Sequence, residues 1–449
     1  MGEREGQKHS MLVTLLAFLF ILAFSITIHE FGHFLMAKFF KIPVEKFSIG
    51  YGPPLIRKKI GETDFRIAYF PLGGYVKIAG EDEGEISQKT LKDTEHTEKT
   101  HTEVKDKVAG FYDAPIYQRV LIVLSGPLFN IFSSFFVFAA IIGIYGMLIN
   151  PYMKVVVEPG TVAENAGLLT NDSIVAVSGM RVRDWDEASE ILIELEGEDV
   201  SIGLMRDGTY LEKNIVIRLD SLGITPLVPP LLGSLKLDGP AQKAGMKEGV
   251  RIIQIDNQDI SSWNQMIEIV RPSKNVPLYF VWEEDGVIKD AQITPVPFYD
   301  PISADTIGQI GAIMPLERKH VPLIDVVSLS VQRSIEVLWL TLKTLYQLII
   351  GRISRRSIGG PIAIAQLSGE SARWGFENLL GLLAIISINL GLINLFPIPA
   401  LDGGHVMISI IEALRNRRFS HRTRLIIQQV GYAIILLLII FVTFNDITR

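Results

Sequence analysis

The fold of this chain is decided near its start, where residues 11–33 read MLVTLLAFLFILAFSITIHEFGH. The first 18 of these residues carry no charge, and an α-helix of that length can span the hydrocarbon core of a bilayer. No small-residue cleavage site stands out, and the run continues directly into a His-Glu-Phe-Gly-His segment. We therefore interpret the stretch as a retained transmembrane helix and not as a signal peptide.

Three further apolar runs lie at residues 120–149, 379–396 and 425–444, so we predict about four transmembrane helices. The composition agrees, because 48% of the 449 residues are hydrophobic and 20% are charged, which fits a few spans beside a sizeable soluble part. The sequence has no Cys, which excludes disulfide scaffolds, thiolate zinc sites and cysteine nucleophiles. It has no long basic run, so we expect no nucleic-acid partner.

Basic residues indicate how the spans are oriented. They cluster at 38–59, after the first span, and at 415–424, between the third and fourth spans. Both links should face the cytoplasm, which places the acidic segment 152–320 and both termini outside. Residues 81–107 are polar and predict a cytoplasmic loop. The charges of residues 321–350 fall within an arc of about 80°, which predicts an amphipathic helix at the membrane surface.

The outer segment contains an internal repeat with a constant offset between its two copies. The repeated residues are Ala163, Ala166, Gly167 and Trp185 in the first copy and Ala241, Ala244, Gly245 and Trp263 in the second. Each copy predicts a short helix that ends at Gly, a buried strand, a turn and a helix that begins at Trp. We therefore predict two small αβ domains of roughly 75 residues, at 152–222 and 223–300.

The segment that ends the first span has the ligand spacing of a zinc site. His29 and His33 are four residues apart, so on a helix they share one face and can reach the same ion. Glu30 follows the first ligand and can serve as general base for a water molecule that the metal activates. The alternative is two histidines at a helix end beside an interfacial Glu. The position at the end of an apolar span favours the functional interpretation, since ionisable residues are costly there.

A catalytic zinc site needs a third protein ligand. Residues 394–405 read NLFPIPALDGGH, and the two prolines cannot continue a regular helix, so the third span breaks at membrane depth. Asp402 is then a plausible third ligand, and the amide of Asn394 could hold the substrate backbone or a developing oxyanion. The alternative is a Pro-Gly loop in which Asp402 caps a helix. For His405 we expect a hydrogen bond within the turn and not a ligand role.

Taken together, HEFGH on the first span and Asn394-x-x-Pro-x-Pro-x-Leu-Asp402-Gly on a late span resemble the site-2 protease family of intramembrane zinc metalloproteases, peptidase family M50. The resemblance covers nearly the whole chain. It implies one zinc ion per chain, with His29, His33 and Asp402 as ligands. It further implies that Glu30 is the general base and that Asn394 handles the substrate.

The same resemblance implies a biological setting. The outer domains would be tandem PDZ domains, and the protein would lie in the bacterial inner membrane with these domains and both termini in the periplasm. The active site would lie near the cytoplasmic side of the bilayer. Substrates would be single-span membrane proteins, such as an anti-sigma factor already trimmed on its outer side, and remnant signal peptides.

Two further segments are similar to family features. Gly126-x-x-x-Asn130 on the second span matches a family motif near the site, although helix packing by Gly126 with Asn130 bonded to backbone would also explain it. Residues 65–71 and 75–78, joined through Gly73-Gly74, predict a hairpin. In the family such a loop re-enters the membrane, where its strand edge can pair with an unwound substrate. The alternative is a plain surface hairpin.

The predicted fold is thus a multi-span α-helical membrane protein with a membrane-associated β-hairpin and two extracytoplasmic αβ domains that are PDZ-like. The Gly-Asp turn that is usual in PDZ domains reads Asn171-Asp172 in the first domain and Gly249-Val250 in the second. Because neither domain shows a clear carboxylate-binding loop, we expect them to act as a size filter for substrates. The expected segments are 1–80 (first span and hairpin), 81–118 (polar linker), 119–150 (second span), 152–222 and 223–300 (PDZ-like domains), 301–376 (linker and amphipathic helix), 377–412 (third span) and 425–445 (fourth span).

Two other classes of function are compatible with parts of this pattern. A non-catalytic membrane scaffold could use the outer domains to recruit envelope proteins and keep the metal for structure. A transporter could use the broken helix as an ion site, but four spans without a membrane-wide repeat disfavour it. The leading prediction is a zinc endopeptidase that acts inside the bilayer.

Overall fold

The computed structural model describes residues 2–80, 110–300, 305–352 and 359–448. The chain divides into two compact units. The first unit comprises Met1–Gly143, Pro322–Ala372 and Phe376–Arg449, and the second comprises Ile144–Val321 and Arg373–Gly375. The polar loop predicted at 81–107 lies outside the described residues.

The described ranges contain both α-helices and β-strands. The α-helices are α1 (Gly2–Phe39), α2 (Ile116–Tyr145), α3 (Val162–Asn165), α4 (Trp185–Glu194), α5 (Pro240–Lys243), α6 (Trp263–Val270), α7 (Leu323–Ile349), α8 (Pro361–Trp374), α9 (Phe376–Asn394), α10 (Asp402–Arg415) and α11 (His421–Thr448). The strands are β1 (Val44–Ile60), β2 (Thr63–Ile78), β3 (Met147–Ile149), β4 (Val155–Val157), β5 (Ser173–Val177), β6 (Met180–Arg181), β7 (Asp199–Arg206), β8 (Thr209–Val216), β9 (Ile224–Pro226), β10 (Arg251–Ile255), β11 (Gln258–Asp259), β12 (Leu278–Glu284), β13 (Val287–Ile293), β14 (Val296–Asp300), β15 (Asp305–Gln309) and β16 (Glu317–Lys319).

Four of the described helices are long and apolar enough to cross a membrane, as the sequence predicts. They are Ser10–Phe39, Ile116–Tyr145, Phe376–Asn394 and Arg422–Thr448. The third apolar run does not continue as one helix to residue 412. The helix formed by this run ends at Asn394, and a new helix begins at Asp402, because Pro397 and Pro399 in the intervening loop cannot donate backbone hydrogen bonds.

Residues 321–350, predicted as an amphipathic helix at the membrane surface, form α7. Its middle part also packs on spans of the first unit. Val337 belongs to a buried apolar cluster with side chains from α1, α2 and α9. The Thr341 hydroxyl donates a hydrogen bond of 2.9 Å to the Asn389 side chain on α9.

The membrane-associated β structure differs from the prediction. The turn lies at Gly61-Glu62, between β1 and β2, and Gly73-Gly74 lie within β2, so the predicted turn at these glycines is wrong. The two halves of β2 do not pair with each other. Both pair with the first part of β1, where Phe47 is in register with Val76 and also with Phe65. The strand β1 therefore lies between the two halves of β2, which the predicted hairpin had paired directly with each other.

The second unit repeats one small αβ arrangement. The sheet order is β6-β5-β7-β8 in the first module and β11-β10-β12-β13 in the second. In each module a four-residue helix, α3 or α5, precedes the four-stranded sheet, and a longer helix that starts at Trp, α4 or α6, precedes the third strand of that sheet. Each has its own buried apolar core. The sequence offset that relates Trp185 to Trp263 also relates β5 to β10 and β7 to β12, so the repeat seen in the sequence is a repeat of structure.

Candidate metal centre

The site is built where α1 approaches the start of α10. His29 and His33 lie one helical turn apart on α1, and His29 is only 8% exposed. Asp402 is the first residue of α10 and follows the Pro-containing loop. The cap of that helix is Leu401, which makes no side-chain capping bond, so Asp402 is not an N-cap.

The separations of the three side chains fit one tetrahedral ion. Asp402 Oδ2 lies 3.0 Å from His29 Nε2 and 3.7 Å from His33 Nε2, and the two Nε2 atoms are 3.3 Å apart. An ion with ligand bonds of about 2.0 to 2.2 Å in tetrahedral geometry holds its ligand atoms about 3.3 to 3.6 Å apart. Among the described residues these three form the group that could hold a metal ion. Two imidazoles and a carboxylate are also a usual donor set for catalytic zinc.

The loop before α10 brings Asp402 to this position. The Leu401 N–H donates a 2.8 Å hydrogen bond to the Ile398 carbonyl, which closes the turn. A Cβ at Gly403 would lie 2.2 Å from the Leu395 carbonyl oxygen, and one at Gly404 would lie 2.2 Å from that of Ile398. The two glycines after Asp402 therefore let the helix start directly against its own loop.

Buried ion pairs fix α10 relative to two other helices. Glu412 on α10 accepts hydrogen bonds from Arg119 on α2 at 3.2 Å and from Arg424 on α11 at 2.8 Å. It also accepts one from the Phe419 backbone N–H at 2.9 Å. All three charged side chains are buried, so removal of Glu412 would leave two buried arginines without their carboxylate partner. The network holds the helix that carries Asp402 against α2.

Glu30 lies beside the β sheet and outside the ligand group. A Cβ at Gly74 would lie 3.3 Å from Glu30 Cγ, and the backbone N–H of Val76 faces the Glu30 carboxylate. The half-buried Glu30 therefore lies between the candidate ligand His29, the preceding residue on α1, and the last part of β2. This position suits a proton acceptor next to a metal site and not a ligand.

The remaining predicted residues are placed as follows. Asn394 is the last residue of α9 and lies half-buried at the start of the loop that leads to Asp402. His405 lies one turn after Asp402 on α10 and is not a member of the ligand group. Its backbone N–H donates to the Leu401 carbonyl at 3.2 Å. The roles predicted for these two residues stay predictions.

The second span contributes more to the site than the sequence indicated. A Cβ at Gly126 would lie 2.3 Å from His33 Nε2 and 3.0 Å from His29 Cε1, so both imidazoles occupy the space above this glycine. Asn130 is fully buried, and its Nδ2 lies 3.3 Å from His29 Nδ1. His33 Nδ1 donates a 2.8 Å hydrogen bond to the Ile122 carbonyl. The role of the Ile122 carbonyl was not predicted, because every residue has a backbone carbonyl and the sequence therefore does not mark this one.

Comparison with known proteins identifies the class. The sequence model of peptidase family M50 matches residues 17–438, and the chain belongs to this family. The resemblance drawn from its motifs is confirmed. The chain is a zinc metalloprotease, and four of its described helices are long and apolar enough to cross a membrane.

Particular relatives cover almost the full length. The chain is 31% identical to the regulator of sigma-E protease RseP of Escherichia coli strain K12, over 98% of this chain and 99% of that protein. It is equally 31% identical to RseP of Salmonella typhimurium strain 14028s, with the same coverage. The regulator of sigma E protease of Haemophilus influenzae is 30% identical over 98% of this chain and 100% of that protein. Among solved structures, the PDZ domain of the SdrC-like protein of Listeria monocytogenes matches 20% of this chain and 90% of that one, with 19% identity and a TM-score of 0.17.

Proposed function

We propose that this zinc metalloprotease is an endopeptidase that cleaves single-span membrane proteins within the bilayer. The observation that carries the proposal is the position of the candidate ligands. His29 and His33 lie on α1, which could span a membrane, and Asp402 begins α10, the helix that follows another possible span, α9. By analogy with relatives named regulators of sigma-E protease, the substrate is an anti-sigma factor already trimmed on its outer side. Remnant signal peptides form a second substrate class.

In this proposal His29, His33 and Asp402 hold one zinc ion per chain. Zinc bound there supplies Lewis-acid polarisation of the scissile carbonyl and lowers the pKa of water. Glu30 accepts the proton of the attacking water and then delivers it to the leaving amide nitrogen. Asn394 holds the substrate backbone or the developing oxyanion through its side-chain amide.

The last part of β2 gives the substrate a place to bind. A peptide bond inside a helix is shielded by its own hydrogen bonds, so the substrate must be extended before it can be cleaved. Residues 74–78 of β2 pair with β1, and Gly74 and Val76 lie next to Glu30. An unwound substrate that adds to this strand would pass directly beside the general base.

The proposed location is the bacterial inner membrane, with the outer modules and both termini in the periplasm and the site near the cytoplasmic side. The support is the distribution of basic residues at 38–59 and 415–424. The two modules follow α2 in the chain, and each contains a four-stranded sheet and two helices, which is bulkier than one helix. We assign them the role of a filter that excludes substrates with bulky outer domains.

The test uses the full chain, purified and reconstituted in liposomes with a single-span substrate. The wild type should contain one zinc ion and cut the substrate within its apolar segment. Glu30→Gln should keep the zinc and lose about 100-fold to 10,000-fold in cleavage rate, the usual contribution of a general base. Cleavage that persists in this variant would remove Glu30 from the mechanism, and a zinc-loaded wild type that cuts only outside the apolar segment would refute the intramembrane proposal.

A further inference from the structure

One face of α2 runs along both histidines. Ile122, Gly126 and Asn130 are spaced by four residues, so they lie in one row on the helix. The row meets His33 at Ile122 and His29 at Asn130, with Gly126 between them. Each imidazole therefore has its Nδ1 atom next to a polar group of α2 and its Nε2 atom next to Asp402.

Metal binding through Nε2 sets a requirement for Nδ1. A neutral imidazole has one N–H group, so an Nε2 atom with a free lone pair leaves the proton on Nδ1, where it needs an acceptor. For His33 this acceptor is the Ile122 carbonyl at 2.8 Å. For His29 the facing atom is Asn130 Nδ2 at 3.3 Å, which is itself a donor.

The conflict at His29 Nδ1 disappears when the amide of Asn130 is turned over. The amide oxygen and nitrogen have nearly the same shape, so their assignment follows from the hydrogen bonds they can make. Asn130 Oδ1 is fully buried and has no hydrogen-bond partner within the described ranges. Exchange of the two amide atoms places this oxygen where Nδ2 stands, as an acceptor for His29 Nδ1–H.

We propose that Asn130 is a positioning residue whose Oδ1 accepts the Nδ1 proton of His29 and so keeps Nε2 free for the metal. The inference rests on the proposed ligand set. The side chain does not touch the reacting atoms, because it acts only through the tautomer and orientation of His29. Loss of such an outer partner typically weakens metal binding about 10-fold to 100-fold.

The competing explanation is that Asn130 only fills space between helices. A Cβ at Gly391 on α9 would lie 3.2 Å from Asn130 Cβ, so the residue stands at a close helix contact. In that case a side chain of similar size without an acceptor would leave zinc binding unchanged. The two explanations also differ for Asp, which can accept a hydrogen bond but has no amide N–H group.

The experiment measures zinc affinity of the detergent-purified full chain by competition with a chelator. Asn130→Leu should bind zinc about 10-fold to 100-fold more weakly than the wild type. Asn130→Asp should stay within about threefold, since its carboxylate accepts from His29. The matched control is Ser134→Ala, one turn further on α2, where a fully buried hydroxyl bonds to the Ile131 carbonyl of its own helix. It should bind zinc like the wild type.

A second readout does not depend on affinity or activity. With cobalt in place of zinc, the absorption band of a tetrahedral ion should be kept in Asn130→Asp and shifted or lost in Asn130→Leu. Leu at wild-type affinity, or Asp as weak as Leu, would overturn the inference. If the Leu variant does not fold, Asn130→Ala takes its place in the comparison with Asp. A wild type that holds no zinc would instead refute the proposed ligand set.

Discussion

Replacement of Gly126 by Ala should weaken metal binding more than it destabilises the fold. The added Cβ would lie 2.3 Å from His33 Nε2 and 2.5 Å from His33 Cε1. Real Cβ atoms essentially never come within 3.0 Å of another heavy atom, and ordinary contact begins at 3.4 Å. The His33 ring would therefore have to move by roughly 1 Å, whereas metal sites tolerate about 0.2 Å in ligand distance.

Two effects of this substitution oppose each other. In a helix interior Ala is more favourable than Gly by about 1 kcal/mol, which offsets part of the cost of displacing the His33 ring in the metal-free chain. The ring cannot simply swing away, because His33 Nδ1 is bonded to the Ile122 carbonyl. Zinc affinity should therefore fall by about 100-fold or more, at least the effect of losing an outer partner of a ligand.

The assay is zinc affinity by chelator competition, together with thermal unfolding of the zinc-free chain in detergent. Gly143→Ala is the matched control on the same helix, since its Cβ would have Val326 Cγ1 as nearest neighbour at 3.9 Å. The control should keep wild-type affinity and cleavage. If Gly126→Ala binds zinc as tightly as the wild type, the two histidines do not bind metal in the arrangement described.

Three other predictions follow from the structure. Asp402→Ala should lose zinc, whereas His405→Ala should keep it, as metal analysis of the purified variants would show; the opposite pattern would make His405 the third ligand. Removal of residues 155–300 should leave zinc in place and allow cleavage of a substrate with a folded outer domain that the full chain refuses; continued rejection would place the filter elsewhere. Hydrogen bonds from Lys247 and Lys289 lower the pKa of Glu284 from its ordinary 4.5 to about 2. The stability that the ionised Glu284 gives the second module is therefore present above pH 4.5 and is lost as the pH falls towards 2. Backbone amide hydrogen exchange in the second module, corrected for intrinsic rates, should become faster as the pH falls through this range. Lys247→Met should make this pH-dependent change smaller.

The parts of the site that the sequence predicts are those with a residue-type signal. His29 and His33 have a spacing that only a helix turns into one face, and Asp402 is a carboxylate beside two helix-breaking prolines. The structure brings these three together although the histidines lie near one end of the chain and Asp402 near the other. A carboxylate near a broken apolar span is rare enough to be found without an alignment.

The β structure shows where sequence patterns fail. Residues 50–54 read GYGPP, which is typical of a loop, and this pattern hides that β1 extends on both sides of it. Without β1 as a partner, two apolar segments flanking Gly73-Gly74 predict a local hairpin. The actual pairing is with a strand that begins at Val44, well before either segment, and such pairing depends on tertiary contacts.

The two modules show that apolar positions carry the repeat and that ion pairs do not. In the first module Asp172 is buried and accepts two hydrogen bonds of 2.7 Å from Arg206, which also lower its pKa. The equivalent positions in the second module are Val250 and Glu284. Glu284 is bonded instead to Lys247, at 2.6 Å. The charge at the strand end is thus reversed, while the cores keep the same offset.

The contribution of α2 also has a signal in the sequence, although a weaker one. Asn130 is the single amide side chain in the apolar run 120–149. A buried polar side chain at membrane depth is costly unless it has a hydrogen-bond partner. Such a residue is therefore expected to lie at a functional site. Gly126 one turn earlier removes the side chain that would otherwise separate the helices, and together the two positions define a face that can approach another polar helix closely. In this chain the helix that carries the polar side chains His29 and His33 is α1, which lies against this face. A small residue and an amide spaced by four within an apolar span therefore indicate a helix that lies against a polar site, even though neither residue is a ligand itself.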